Sequence, residues 1–148
     1  EQTAIVRHSS RVLVTGANIK VPFFTIVLRK GYGLGAMAMA RGSFHLGSFF
    51  TVAWPSAEFG GMGLEGQVRL GNKAELQAIT DPVARNARFQ ELVDKLYQHG
   101  KAVNIAPFLS IDDVIDPAAS RAWVLAGLRT HHREPRPPGK RRGFIDAW

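Results

Sequence analysis

Apolar positions along this chain change their period several times, and each change marks an element. From Thr3 to Ala17, Ile5, Ser9, Val12, Leu13 and Gly16 recur at helical spacing, which predicts an amphipathic helix. Val21 to Leu28 (VPFFTIVL) then runs apolar, β-branched and aromatic without alternation. That is the pattern of a strand covered on both faces, as in a mixed α/β layer. Gly31, Gly33 and Gly35 follow and lead into Ala36-Met37-Ala38-Met39-Ala40, a helix-forming segment. The predicted order is therefore strand, glycine turn, helix.

Phe49 to Trp54 reads as a second strand closed by Pro55, Phe59 to Met62 as a short glycine-rich piece, and Glu65 to Ile79 as helical. Asp81-Pro82 and Asp116-Pro117 each offer an N-cap acceptor followed by proline at the first helical position, where its missing N–H costs nothing. After the first, Phe89, Leu92, Val93, Leu96 and Tyr97 trace one apolar helix face. After the second, Ala118 to Leu128 predicts a shorter helix. Between them, Asn104 to Ile115 holds a turn and a short strand at Val114-Ile115. No internal repeat is visible in the sequence.

Composition narrows the class. A chain of 148 residues with 45% hydrophobic and 21% charged residues suits one globular domain with a real core. Cysteine is absent, which removes disulfides, thiolate zinc sites and cysteine nucleophiles and fits a cytoplasmic protein. No apolar run approaches the ~20 residues of a membrane helix. Glu1-Gln2-Thr3 lacks an initiator methionine, a basic region and an apolar region, so the expectation is a chain taken from something longer, without a signal peptide. The net charge of +7 suggests nucleic acid until its distribution is read: six of nineteen basic residues fall between Arg129 and Arg142, among Pro135, Pro137, Pro138 and Gly139. Residues 129–148 are thus expected to form a basic, proline-rich, solvated tail, and 1–128 the domain. No aromatic-basic motif of an RNA-binding sheet appears, so neither nucleic acid nor membrane is expected as a partner.

The glycine turn is where chemistry is expected. Glycines between a strand and a helix permit positive φ and close backbone approach. The helix N-terminus adds unpaired N–H donors and a partial positive charge. Such a turn can hold a phosphate, or an oxyanion that develops during a reaction. Gly31-x-Gly33-x-x-Ala36 also satisfies the dinucleotide fingerprint, but the acidic ribose ligand expected roughly 20 positions on is missing, with no carboxylate until Glu58. A tight turn with no ligand is the plainest alternative.

Four motifs go further: Arg29-Lys30-Gly31-Tyr32-Gly33-Leu34-Gly35, Ala53-Trp54-Pro55-Ser56-Ala57-Glu58, Met62-Gly63-Leu64-Glu65-Gly66, and Ile111-Asp112-Asp113-Val114-Ile115-Asp116-Pro117 with Arg121. In this order and at similar spacing, from about Ile5 to Leu128, they make the chain resemble the C-terminal half of a biotin-dependent acyl-CoA carboxyltransferase. The resemblance implies an α/β fold of the crotonase-like kind, a superhelix of repeated strand-strand-helix turns. It also implies a biotin-side half-site in an enzyme that moves carboxylate between carboxybiotin on a carrier domain and an acyl-CoA. The implied partners are a biotin carboxyl carrier protein, a biotin carboxylase, the N-terminal carboxyltransferase half, and further copies in a trimer- or hexamer-type assembly. Without its N-terminal half, the chain is expected to be inactive. A non-catalytic assembly module that keeps the fold is the competing expectation.

Carried over residue by residue, the resemblance places the oxyanion-binding amides on Leu34 and Gly35, within a biotin-binding set of Gly33, Leu34, Gly35 and Met37. The family's usual Gly-Gly-Ala is here Gly33-Leu34-Gly35. A backbone amide survives any non-proline substitution, and one such donor is worth roughly 3–4 kcal/mol of barrier. Met37 aligns with a pocket-lining position and equally suits helix packing. No metal is expected: Asp112, Asp113 and Asp116 lack the alternating pattern and loop glycine of a calcium site. His8, His45, His99, His131 and His132 lack ligand or triad spacing. Trp54 and Pro55 are expected to shape a core turn, with Glu58 the one carboxylate near them, and Arg29 and Lys30, next to the glycine turn, are expected either to pair internally or to assist an anionic ligand.

Overall fold

Two strand-strand-helix passages run in register with one another. A computed structural model describes residues 4–44 and 47–131. The first passage is β1 (Phe24–Val27), β2 (Lys30–Tyr32) and α2 (Gly33–Met39), preceded by helix α1 (Ile5–Asn18). The second is β3 (Phe50–Ala53), β4 (Glu58–Gly60) and α3 (Leu64–Gly71). Then come α4 (Lys73–Ala78), α5 (Pro82–His99), α6 (Ala102–Ile105), β5 (Asp113–Val114) and α7 (Ser120–Thr130). All pairing between named strands is parallel: β1 with β3, β3 with β5, and β2 with β4, which makes one sheet of three strands and one of two. The repeat absent from the sequence is therefore present in the backbone, as the crotonase-like architecture requires.

β3 lies at the centre because all four of its residues are buried. Its pleat sends Phe50 and Val52 to one face, where Phe24, Trp123 and Val124 cover them. Ala53 faces the other way, into a core with Val27, Ala57, Phe59, Ala102 and Ile111. Fully burying a valine such as Val52 contributes about 1.5–3 kcal/mol. α7 fits closely on the first face because Gly127 has no side chain; a Cβ there would stand 2.8 Å from the Phe24 ring. A third cluster, Val68, Leu76 and Val93 with Phe89, Leu92, Leu96 and Tyr97, binds α3 and α4 to the predicted apolar face of α5.

Both predicted aspartate caps form. Asp81 accepts from the N–H groups of Val83 and Ala84 at 3.1 Å each, and Asp116 accepts from Ala118 at 2.7 Å. Three expectations are corrected in detail. Lys30-Gly31-Tyr32 is a strand rather than part of the turn, because β4 lies beside it. The helix expected from Glu65 to Ile79 is broken into α3 and α4 at Asn72, whose N–H still reaches the Val68 carbonyl. Asn104 to Ile115 begins inside α6 and continues as a 3-10 turn over Ala106–Phe108, before the short strand that was expected. The predicted basic tail lies, from residue 132, outside the described residues.

α1 is amphipathic as predicted, yet its apolar side is largely uncovered: Ile5, Val6, Val12 and Leu13 are all exposed. Its C-terminal end is held by Arg41, whose Nε donates to the Gly16 carbonyl at 2.6 Å and whose Nη2 donates to Ile19 at 2.7 Å. Among the described residues, no helix is long and apolar enough to cross a membrane.

Candidate functional site

The glycine turn and the Trp-Pro segment, far apart in sequence, are stitched together by the backbone. The Trp54 N–H donates to the Val27 carbonyl at 2.9 Å, and the Glu58 N–H donates to Arg29 at 2.6 Å. Between them the Ser56 hydroxyl donates to the Leu28 carbonyl at 2.7 Å. The Trp54 indole N–H donates to Ser120 Oγ at 2.9 Å, which anchors the segment to α7. So the predicted motifs form one unit under the turn.

The turn itself is shaped by Gly33. Its φ of +57° lies in the left-handed region, and a Cβ there would stand 2.9 Å from the Gly61 carbonyl oxygen. Gly33 thus packs against a second glycine turn, Gly60 to Gly63, between β4 and α3. Only glycine meets both demands without strain. α2 starts at once, capped by Tyr32 without a side-chain hydrogen bond. The amides of Leu34 and Gly35 belong to its first turn, where a helix supplies no acceptor for them. The space around them is open: nothing lies within 4 Å of a Cβ built on Gly35, and Leu34 is 75% exposed. Met37 and Met39 on the same helix are exposed too.

Next to the turn lies a polar cluster. Tyr32 Oη donates to Glu58 Oε2 at 2.8 Å. Burial, reinforced by this carboxylate, pushes the Tyr32 phenol well above the usual tyrosine range. Lys30 Nζ lies 5.8 Å from the Tyr32 ring centroid and 6.0 Å from that of Tyr97. Tyr97 in turn donates to Glu65 at 3.1 Å, and Glu65's own backbone N–H together with that phenol holds its carboxyl below the usual range.

Among the predicted site residues, Gly33, Leu34 and Gly35 fall together on the turn, with Met37 one helical turn on. Glu58 is engaged by Tyr32. Lys30 lies over the Tyr32 and Tyr97 rings, and its charge helps to hold the Glu65 carboxyl low. Asp112 accepts from the Thr51 N–H at 2.6 Å, Asp113 from Val114 at 2.7 Å, and Asp116 serves as a cap, so all three have structural work. Among the described residues no group of side chains could hold a metal ion. His99 lines an open cavity of about 320 Å³ with Gly31, Phe59 and Gly61, and His131 packs its ring edge-on against Phe49. His45 and His132 lie outside the described residues. Sequence reasoning missed the Tyr32–Glu58 bond and the Arg41 clamp. The first depends on strand register, and the second joins residues more than twenty positions apart.

A family model described as a carboxyl transferase domain matches residues 1–145. The methylmalonyl-CoA carboxyltransferase 12S subunit of Propionibacterium freudenreichii subsp. shermanii is 34% identical over 151 residues, covering 97% of this chain and 27% of that protein. The propionyl-CoA carboxylase carboxyltransferase subunit of Haloferax mediterranei is also 34% identical, over 98% of this chain and 28% of its own length. Among solved structures, a single-chain, multi-domain long-chain acyl-CoA carboxylase is 55% identical, with a TM-score of 0.73, covering 84% of this chain and 12% of that one. A transcarboxylase 12S hexamer with methylmalonyl-CoA bound is 33% identical, with a TM-score of 0.79, over 97% of this chain and 27% of that one. The chain thus spans about a quarter of the length of the curated relatives it matches.

Proposed function

The chain belongs to the carboxyl transferase family, and from that premise we propose that it is the biotin-side half of an acyl-CoA carboxyltransferase acting in the cytoplasm. The observation that carries this reading is the open first turn of α2. There the amides of Leu34 and Gly35 stand uncapped at a glycine turn, in the loop where the family resemblance expects biotin. The residues fit the group: the turn is open beside Gly35, and it presents neutral backbone donors. Carboxybiotin, when bound, would supply the carboxylate, which passes from the ureido nitrogen to the α-carbon of an acyl-CoA as the α-proton passes to the vacated nitrogen.

The chain's own part is electrostatic. With biotin bound, the N–H groups of Leu34 and Gly35 would face its ureido oxygen and would stabilise the negative charge that develops there during transfer. Fixed donors stabilise that charge without reorganising at the moment of reaction. Gly33 sets their direction through its positive φ, and Met37 lines the approach with an adaptable apolar side chain. No nucleophile is needed. A second set of donors, for the thioester oxygen, is supplied by the N-terminal half, because one set stabilises only one of two developing charges. The exposed apolar residues of α1 and α2 support this reading, since a monomer rarely leaves so much apolar surface bare. Further copies of the subunit, the biotin carrier domain and the biotin carboxylase complete the assembly.

The test is Gly35→Pro in a carboxyltransferase assembled with this chain. Proline is tolerated in the first helical turn, yet it deletes one donor. Carboxyl transfer is expected to fall about 10²–10³-fold while acyl-CoA still binds. Unchanged turnover in a folded variant would remove Leu34 and Gly35 from the mechanism.

A further inference from the structure

We infer that Glu58 acts through Tyr32 as a positioning residue, a latch that fixes the direction of the Leu34 and Gly35 amides. The inference rests on the reading of those amides as the biotin-side donors, although the latch itself is a matter of geometry alone. α2 has seven residues and buries none of its own side chains. A helix this short is not stable by propensity, so its direction must come from what holds its ends. At the C-terminal end Arg41 ties the chain to the Gly16 and Ile19 carbonyls. At the N-terminal end the residue before Gly33 is tied through its side chain, Tyr32 Oη donating to Glu58 Oε2 with the Tyr97 phenol also beside it.

Register explains why the two meet. β2 and β4 pair Lys30 with Glu58 and Tyr32 with Gly60, so the tyrosine and the glutamate are diagonal neighbours on one face. Gly60 packs between Tyr32 and α3: a Cβ there would meet Tyr32 Cδ1 at an ordinary 3.5 Å but Leu64 Cδ2 at 2.8 Å. The Glu58 backbone is itself fixed, its N–H donating to Arg29 at 2.6 Å. Lys30 Nζ lies 5.8 Å from the ring centroid. The phenol is thereby tied to a strand-held carboxylate, with a cation near its ring, and the following residue, Gly33, has positive φ. Any swing of Tyr32 would be passed to Gly33 and to the amides beyond it. Glu58 Oε2 accepts this bond, so Glu58 reaches the amides through Tyr32, as a positioning group.

The experiment has two readouts. The first is amide hydrogen exchange at Met37, Ala38 and Met39 in the 148-residue chain, whose helical N–H groups close the first turn of α2 on the carbonyls of Gly33, Leu34 and Gly35, with Val93 in α5 as the reference. Tyr32→Phe and Glu58→Ala are each expected to raise exchange at the turn about tenfold, the ratio that matches one lost hydrogen bond. Glu58→Gln keeps an acceptor and is expected to restore most of the protection. The second readout is carboxyl transfer in the assembled enzyme. Tyr32→Phe is expected to lower kcat about tenfold with KM for the acyl-CoA unchanged, and Glu58→Gln to keep both the rate and the pH profile. Unchanged exchange in Tyr32→Phe and Glu58→Ala would overturn the latch and leave the reading of the amides standing. Raised exchange with unchanged transfer would establish the latch and overturn the reading of the amides instead. Loss of the acidic limb of the pH profile in Glu58→Gln would make Glu58 a titrating catalytic group and overturn the positioning role.

Discussion

Gly33→Ala and Gly35→Ala lie two residues apart on the same turn, and the structure assigns them opposite signs. At Gly33 an alanine must adopt φ near +57°, a left-handed conformation that costs roughly 1–2 kcal/mol for a residue with a Cβ. The new methyl would also stand 2.9 Å from the Gly61 carbonyl oxygen. Relieving that contact means moving one glycine turn away from the other, at about 1 kcal/mol or more, the low end of overpacking costs. Alanine lowers the entropy of the unfolded chain and recovers about 0.4–1 kcal/mol. The balance is a net loss of about 2 kcal/mol. At Gly35 the same entropy gain applies, φ is not in the left-handed region, and nothing lies within 4 Å of the added methyl. That substitution should be neutral or stabilising by a few tenths to about 1 kcal/mol. Urea unfolding followed by far-UV circular dichroism separates the two. With a denaturant slope of about 1–3 kcal/mol per molar, the Gly33→Ala midpoint should fall by about 1 M and the Gly35→Ala midpoint should hold or rise. Equal midpoints would refute the claim that contact with the Gly61 carbonyl and positive φ set the shape of the turn.

Asp81→Ala removes the acceptor for two first-turn amides of α5 and should cost about 1 kcal/mol, read as a melting temperature lower by roughly 2–4 °C. The pH dependence of stability should carry the mark of Tyr32. Its folded-state pKa is raised above the usual value of about 10, so its contribution is fully present below about pH 10 and is lost as pH rises toward the folded value. Chemical denaturation between pH 9 and about 11 should show a decline that Tyr32→Phe makes shallower.

What could be read from the sequence follows from how local each cause is. β1 and β3 were legible because their apolar runs are continuous, and both aspartate caps because an acceptor followed by proline has few other uses. The apolar face of α5 was legible because helical spacing is itself the cause of that face. β2 was not, since Lys30-Gly31-Tyr32 becomes a strand only when β4, 28 positions later, lies beside it. The break between α3 and α4 was hidden because the helical pattern continues through Gly71 and Asn72. α1 shows a different gap. Its periodicity announced an apolar face, but not that Ile5 and Val6 would stay 59% and 64% exposed. At the site, the type and order of residues pointed to the turn. The partnership of Tyr32 with Glu58 needed the register of two short strands, which no local pattern encodes.

The whole reading is tested most directly by carboxyl transfer from carboxybiotin to an acyl-CoA, measured with this chain alone and then with a carboxyltransferase N-terminal half added. One set of oxyanion donors should yield no turnover alone, and adding the other half should bring binding and turnover together. Turnover by the chain alone, or a monodisperse monomer with no affinity for the N-terminal half, would contradict the account.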